Sequence, residues 1–189
     1  MDNKSAITIS VLGGGHGGLA EAAYLSLNKY KVTLFNRTLE NVLAIKQKVE
    51  IRGCLSNTTN ISNITDDLRS AIEHTKVIFI VLPAYAHKDI LHKIKNYLTD
   101  GQIIVLMPGK LGGGLEALHI LRTLNKNITI FETESVIIGA RRLDTNKIYI
   151  HGLKQNVKIG GINILQDRAS LMNAFKLLKE IHPEFVLVN

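Results

Sequence analysis

Residues 13–18 read Gly13-Gly14-Gly15-His16-Gly17-Gly18 and contain the spacing Gly13-x-Gly15-x-x-Gly18. A loop of this kind can hold a phosphate. The first glycine permits a tight turn, the second lets a pyrophosphate approach the main chain, and the third lets a helix pack closely on a strand. The helix that follows presents unpaired N–H groups and the positive end of its dipole. Glycine clusters also serve as plain turns, so the motif gains meaning only from the elements around it.

Those elements are in place. Ile7 to Leu12 is a short β-branched run, Leu19 to Leu27 forms a good helix, and Lys31 to Asn36 is a second β-rich run. Strand, helix and strand fit within about thirty residues, the size of a right-handed βαβ crossover with parallel neighbours. The reading is dinucleotide binding, with Gly13, Gly15, His16, Gly17 and Gly18 at the phosphates, His16 through its main chain more than its ring.

The end of the second strand bears on which dinucleotide. NAD-selective domains place Asp or Glu there to accept hydrogen bonds from the ribose 2′-hydroxyl. This chain reads Phe35-Asn36-Arg37-Thr38 and has no carboxylate at that point. An arginine can pair with a 2′-phosphate, and Asn36 and Thr38 add neutral hydrogen bonds without repelling it. NADP(H) is therefore expected ahead of NAD(H). The plainer alternative makes Arg37 a solvated residue and Thr38 a helix cap, and both roles can coexist.

Other chemistry is harder to find. A general acid could be sought among His16, His74, His87, His92, His119, His151 and His182, but no spacing singles one out. Glu132 and Glu134 could form an acid/base pair or simply be polar residues at a strand end. No metal-ligand spacing is present, and Cys54, the single cysteine, reads as a bystander. No catalytic residue and no metal site are expected.

The surrounding elements continue the alternation. A helix is expected over Thr38 to Glu50, from Leu39, Val42, Leu43, Ile45 and Val49, then short strands or loop over Ile51 to Ile64. A short helix over Asp66 to His74 leads to Val77–Leu82, so uniformly apolar that both faces must be covered. Next come a helix over His87 to Leu98, a strand over Gln102 to Met107, a helix over Leu115 to Leu124 and a strand over Thr129 to Glu132. Lys147 to His151 and Asn156 to Ile162 read as a hairpin, followed by a helix over Asp167 to Ile181 and a strand-like tail, Phe185 to Val188. The expected fold is one doubly wound α/β domain over residues 1–189. Its sheet is mostly parallel, and a C-terminal β-hairpin and helix follow.

Composition narrows the partners. Hydrophobic residues make up 46% and charged residues 21% of 189, as in ordinary globular proteins. The net charge of +7 is scattered and aromatic residues are only 5%, so nucleic-acid binding is not expected. The longest apolar run, Val77 to Ala86, is broken by Pro83 and falls far short of the roughly 20 residues of a bilayer span. With one cysteine and no secretory signal pattern, a cytoplasmic location is expected.

Several stretches together point to a family. They are Val11 to Gly18, Leu82-Pro83-Ala84-Tyr85-Ala86-His87, Asp100-Gly101-Gln102, Pro108-Gly109 with Gly112-Gly113-Gly114, and Glu132-Thr133-Glu134-Ser135. In order and spacing the chain resembles the N-terminal domain of the octopine/opine dehydrogenases, within the larger group similar to 6-phosphogluconate dehydrogenase. It departs from that pattern at Ile137, where the family usually has proline.

The resemblance implies that Leu82, Pro83 and Ala84 border the cofactor's ribose and nicotinamide, with Pro108 and Glu132 at neighbouring strand ends. It also implies reductive condensation of an amino acid with a 2-oxo acid, the catalytic histidine and its acidic partner lying in a helical C-terminal domain. This sequence does not contain that domain, so it is expected to be the cofactor half. Its partner would be a helical catalytic domain or second chain, or a second copy in a homodimer. The alternative is a free-standing NADP-binding module with a sensing or regulatory role, and a weaker one is a reductase of glycerol phosphate or ketopantoate.

Overall fold

The computed structural model describes residues 3–38, 40, 45, 47–109 and 112–188. After a 3-10 turn at Asn3–Ala6, the chain forms β1 (Thr8–Leu12), α1 (His16–Leu27) and β2 (Lys31–Phe35). It continues through β3 (Lys48–Gly53), β4 (Asn57–Asn60), β5 (Asn63–Thr65), α2 (Leu68–Ile72), β6 (Val77–Ile80) and α3 (His87–Ile94). Then follow β7 (Ile103–Leu106), α4 (Gly113–Leu121), β8 (Thr129–Thr133), β9 (Ile138–Asp144) and β10 (Lys147–Leu153). The last elements are β11 (Val157–Asn163), α5 (Arg168–Ile181) and β12 (Phe185–Leu187).

Eight strands form the main sheet in the order β12-β11-β8-β7-β6-β1-β2-β5. Every pairing from β8 to β5 is parallel, and only β11 runs antiparallel to its neighbour β8. The central strands explain why. Val77 and Phe79 join one apolar cluster and Ile78 and Ile80 the other, as Ile103 and Val105 do against Ile104 and Leu106. Period-two side chains that are apolar on both faces demand cover on both, which helices supply. Residues of α2, α3 and α4 lie in one cluster, and those of α1 and α5 in the other.

A second sheet, β4-β3-β10-β9, lies over α1. That helix packs on β1 and β2 on one side and on β4, β9 and β10 on the other. It is small-residue-rich and buried nearly all round, from Gly18 and Leu19 through Ala20, Ala22, Ala23 and Leu25. A helix without a polar face belongs between two layers.

Two expectations need correction. Lys48 to Glu50 are not the end of a helix but the start of β3, where Val49 and Ile51 are buried and Lys48 is exposed. The i, i+4 pair Ile45 and Val49 mimics a helix, while the local period is two. The rest of that expected helix falls largely outside the described residues. Second, Lys147–His151 and Asn156–Ile162 do not pair with each other. A hairpin does precede the last helix, but β9 and β10 form it, while β11 leaves for the main sheet and pairs with β8.

Candidate functional site

In an open parallel sheet a ligand sits beyond the strand C-termini, where the strand order reverses. Here that point lies between β1 and β6. The loop after β1 is shaped by its glycines. Gly13 turns at φ +124°, and a Cβ there would meet the Val81 carbonyl oxygen at 2.5 Å. Its N–H donates to the Phe35 carbonyl at 2.9 Å, tying the loop to the end of β2. Gly18 presses α1 onto the same turn, since a Cβ would lie 1.7 Å from the Gly13 carbonyl oxygen. Gly15 is different: nothing lies within 4 Å of where its Cβ would be. Among the described residues no side chain caps α1, so its first N–H groups are left for a ligand beside Gly15.

A cleft of about 490 Å³ opens beside this loop. Gly13, Gly14 and Gly15 form one wall, Phe35, Asn36, Arg37 and Thr38 another, and Leu82, Pro83, Tyr85 and Ala86 a third. Asp89, Ile90 and Lys93 of α3 and Arg142 of β9 complete it. Asn36 packs on Gly14, where a Cβ would lie 2.3 Å from its Nδ2, and its Oδ1 accepts from the Thr38 N–H at 3.4 Å. Arg37 is exposed at the rim.

The third wall is held from behind by His87. Its ring is buried, and Nε2 lies 3.0 Å from the Leu82 carbonyl. Burial holds its pKa below the ordinary histidine value, although the Leu82 bond opposes this. The neutral ring then donates from Nε2–H and fixes the turn that carries Leu82 and Pro83. Glu132 does another job. Its Oε2 accepts from the Gly114 N–H at 2.7 Å and so caps the start of α4.

The sequence model described as "NAD-dependent glycerol-3-phosphate dehydrogenase N-terminus" matches residues 8–140. The chain belongs to this family. It is also 34% identical over 151 residues to the opine dehydrogenase of Arthrobacter sp. (strain 1C), covering 78% of this chain and 42% of that protein. Octopine dehydrogenase in complex with NADH and agmatine superposes with a TM-score of 0.81 at 19% identity, over 96% of this chain and 48% of that one. Yersinopine dehydrogenase with NADP+ bound gives 0.72 at 18% identity, over 100% of this chain and 48% of that one. The resemblance to the N-terminal NAD(P)-binding domain of opine dehydrogenases is thus borne out, and the chain spans less than half the length of these relatives.

Within this family frame, the structure gathers most of the residues that the sequence singles out. Gly13, Gly15, Asn36, Arg37, Thr38, Leu82 and Pro83 line one cleft. His16 and Gly17 open α1 beside it, and Gly18 supports the loop from behind. Ala84 begins the 3-10 turn between Pro83 and Tyr85 without lining the cleft. Pro108 and Glu132 lie outside its walls, and the Glu132 carboxylate is committed to α4. Glu132 and Glu134 do not act as a pair, because Glu134 Oε1 accepts from the Lys158 N–H at 3.1 Å.

Sequence reasoning missed Tyr85, Asp89, Lys93 and Arg142. The first three follow once the α3 start is placed beside Pro83. Arg142 had no signal, because β9 carries glycine and two arginines and does not read as a strand. Among the described residues no group of three or more His, Cys, Asp or Glu is placed to hold a metal, and no helix is long and apolar enough to cross a membrane.

Proposed function

We propose that the cleft binds NADP(H) in preference to NAD(H), and that the chain is the cofactor half of an opine-type dehydrogenase. What carries the reading is the open Gly15 position at the uncapped start of α1, set beside an Arg37 that stands where a carboxylate would select NAD. The residues fit a dinucleotide. Gly13 to Gly15 and the α1 N–H groups would hold the diphosphate. Asn36, Arg37 and Thr38 would hold the adenosine ribose and its 2′-phosphate. Leu82 and Pro83, fixed by His87, would pack on the far ribose and nicotinamide. Bound there, the nicotinamide supplies hydride for reducing the imine of an amino acid and a 2-oxo acid.

Reduction also needs a proton for the developing amine. Among the described residues, the titratable ones lining the cleft are Arg37, Tyr85, Asp89, Lys93 and Arg142, with no histidine among them. We therefore assign the proton to a helical catalytic domain or second chain, docking over Tyr85 and Leu115, which are 86% and 68% exposed. The chain alone should bind cofactor without turning over amino acid and oxo acid.

Calorimetric titration with NADPH and NADH tests the cofactor assignment. NADPH should bind about 10- to 100-fold more tightly, the worth of one charge-assisted contact. Arg37→Ala should remove that advantage and leave NADH affinity unchanged. Tighter NADH binding, or an unchanged NADPH affinity in the variant, would sink the assignment.

A further inference from the structure

Among the described residues, Arg142 is the one residue of the second sheet that lines the cleft. It lies far along the chain from the glycine loop, yet it is bonded to that loop twice. Its main-chain N–H donates to His16 Nδ1 at 2.9 Å, and its Nη1 donates to the Gly14 carbonyl at 3.1 Å. Two further bonds fix the guanidinium from behind: Nε to the Asp144 carbonyl and Nη2 to the Thr145 carbonyl, each at 2.9 Å. The side chain is thus held as a rigid planar fork over the start of α1.

Three of its five N–H groups are used, all on neutral carbonyls, which leaves one on each terminal nitrogen. Among the described residues it forms no ion pair with any carboxylate. A half-buried guanidinium without a counter-charge, beside main-chain N–H groups, is suited to an anion. The helix end offers only about half a unit of positive charge, whereas a dinucleotide's diphosphate carries two negative ones. A fixed arginine supplies much of the difference.

We propose that Arg142 grips the bridging diphosphate of the dinucleotide, so that the second sheet, through strand β9, is part of the cofactor site. This rests on the dinucleotide reading above and assigns a contact that the glycine motif does not contain. The diphosphate is common to NADH and NADPH, and this sets Arg142 apart from Arg37. His16 acquires a role for its ring as well: it anchors the Arg142 main chain to the first turn of α1.

The test uses the purified chain, Arg142→Met and Arg142→Gln, each titrated with NADPH, NADH and adenosine 2′-monophosphate, which lacks the diphosphate. Melting temperatures of the free proteins are recorded alongside. Either variant should bind NADPH and NADH about 10- to 100-fold more weakly, by the same factor for both, with 2′-monophosphate affinity kept within about 2-fold. Arg142→Gln keeps amide donors for the Gly14 carbonyl, so it carries the test if the methionine variant does not fold. Unchanged dinucleotide affinity means that Arg142 only staples the turn. A loss confined to NADPH moves it to the 2′-phosphate, and a loss shared by the 2′-monophosphate makes its role structural. Each of these overturns the proposal. Failure of the unaltered chain to bind either dinucleotide overturns the underlying reading instead, before Arg142 is reached.

Discussion

A methyl group added at Gly18 would lie 1.7 Å from the Gly13 carbonyl oxygen, while one added at Gly15 would meet nothing within 4 Å. Gly15 also sits at φ −76°, a backbone conformation open to any residue. Gly18→Ala should therefore push α1 off the β1 turn and destabilise the fold by about 3 kcal/mol or more. Gly15→Ala should leave the melting temperature within about 2 °C and instead weaken dinucleotide binding, because its methyl group occupies the space a phosphate needs. Melting and titration of both variants check this, and a Gly15→Ala protein that binds normally would remove the phosphate from that position. This division was legible in the sequence, because the motif's spacing encodes a turn, an approach and a packing contact. Arg142 was not legible. Its contact with Gly14 joins residues that only the folded second sheet brings together, and neither residue type announces a partner.

At the scale of elements, α1 carries one feature that its apolar surroundings do not explain. Glu21, 2% exposed, has its Oε1 2.5 Å from Nε2 of the fully buried His182, which follows α5. Glu184 Oε2 lies 3.6 Å from Nδ1 of the same ring, and Tyr24 stacks on it with centroids 5.4 Å apart. Burial alone would lower the pKa of His182, but the charges of Glu21 and Glu184 outweigh it and push it up to about 9. The folded-state value therefore lies above the unfolded one, about 6.5. The stability this pair contributes is fully present below about pH 6.5 and is lost as the pH rises towards 9. Glu21→Gln should cost about 3 kcal/mol near pH 6 and flatten the stability profile between pH 6.5 and 9. Urea unfolding at pH 6, 7.5 and 9 reads both effects, and identical midpoints for the variant and the unaltered chain at every pH would refute the pairing. The sequence could not disclose this, since Glu21 and His182 are 161 residues apart in it. The central strands were legible for the opposite reason: Val77 to Ile80 and Ile103 to Leu106 are apolar throughout, and only a sheet covered on both faces accommodates that. The β9 strand, with exposed Arg141 and Leu143, gives no such signal, so the sequence pattern points to β10 and β11 as the hairpin when β9 and β10 form it.

Across the whole molecule, the two sheets share one of its two buried clusters. Val49, Ile51, Ile138, Ile148 and Ile150 of the smaller sheet fall in the same buried cluster as Val11, Leu19 and Val32. Because α1 is covered by one sheet on each side, removing either layer would expose a helix that is apolar nearly all round. The two layers should therefore unfold together, in one calorimetric transition whose van't Hoff and measured enthalpies agree. A ligand that binds only the folded chain adds stability by mass action, about 2.7 kcal/mol at a hundred times its Kd. For a chain of this size that corresponds to a rise in Tm of roughly 5–10 °C. NADPH should accordingly move the entire transition upward without splitting it, since the cleft proposed to hold it draws on the loop after β1, the end of β2 and the β9 strand at once. Two transitions, with only one of them shifted by NADPH, would show that the smaller sheet is an appendage and not part of the unit that binds the nucleotide.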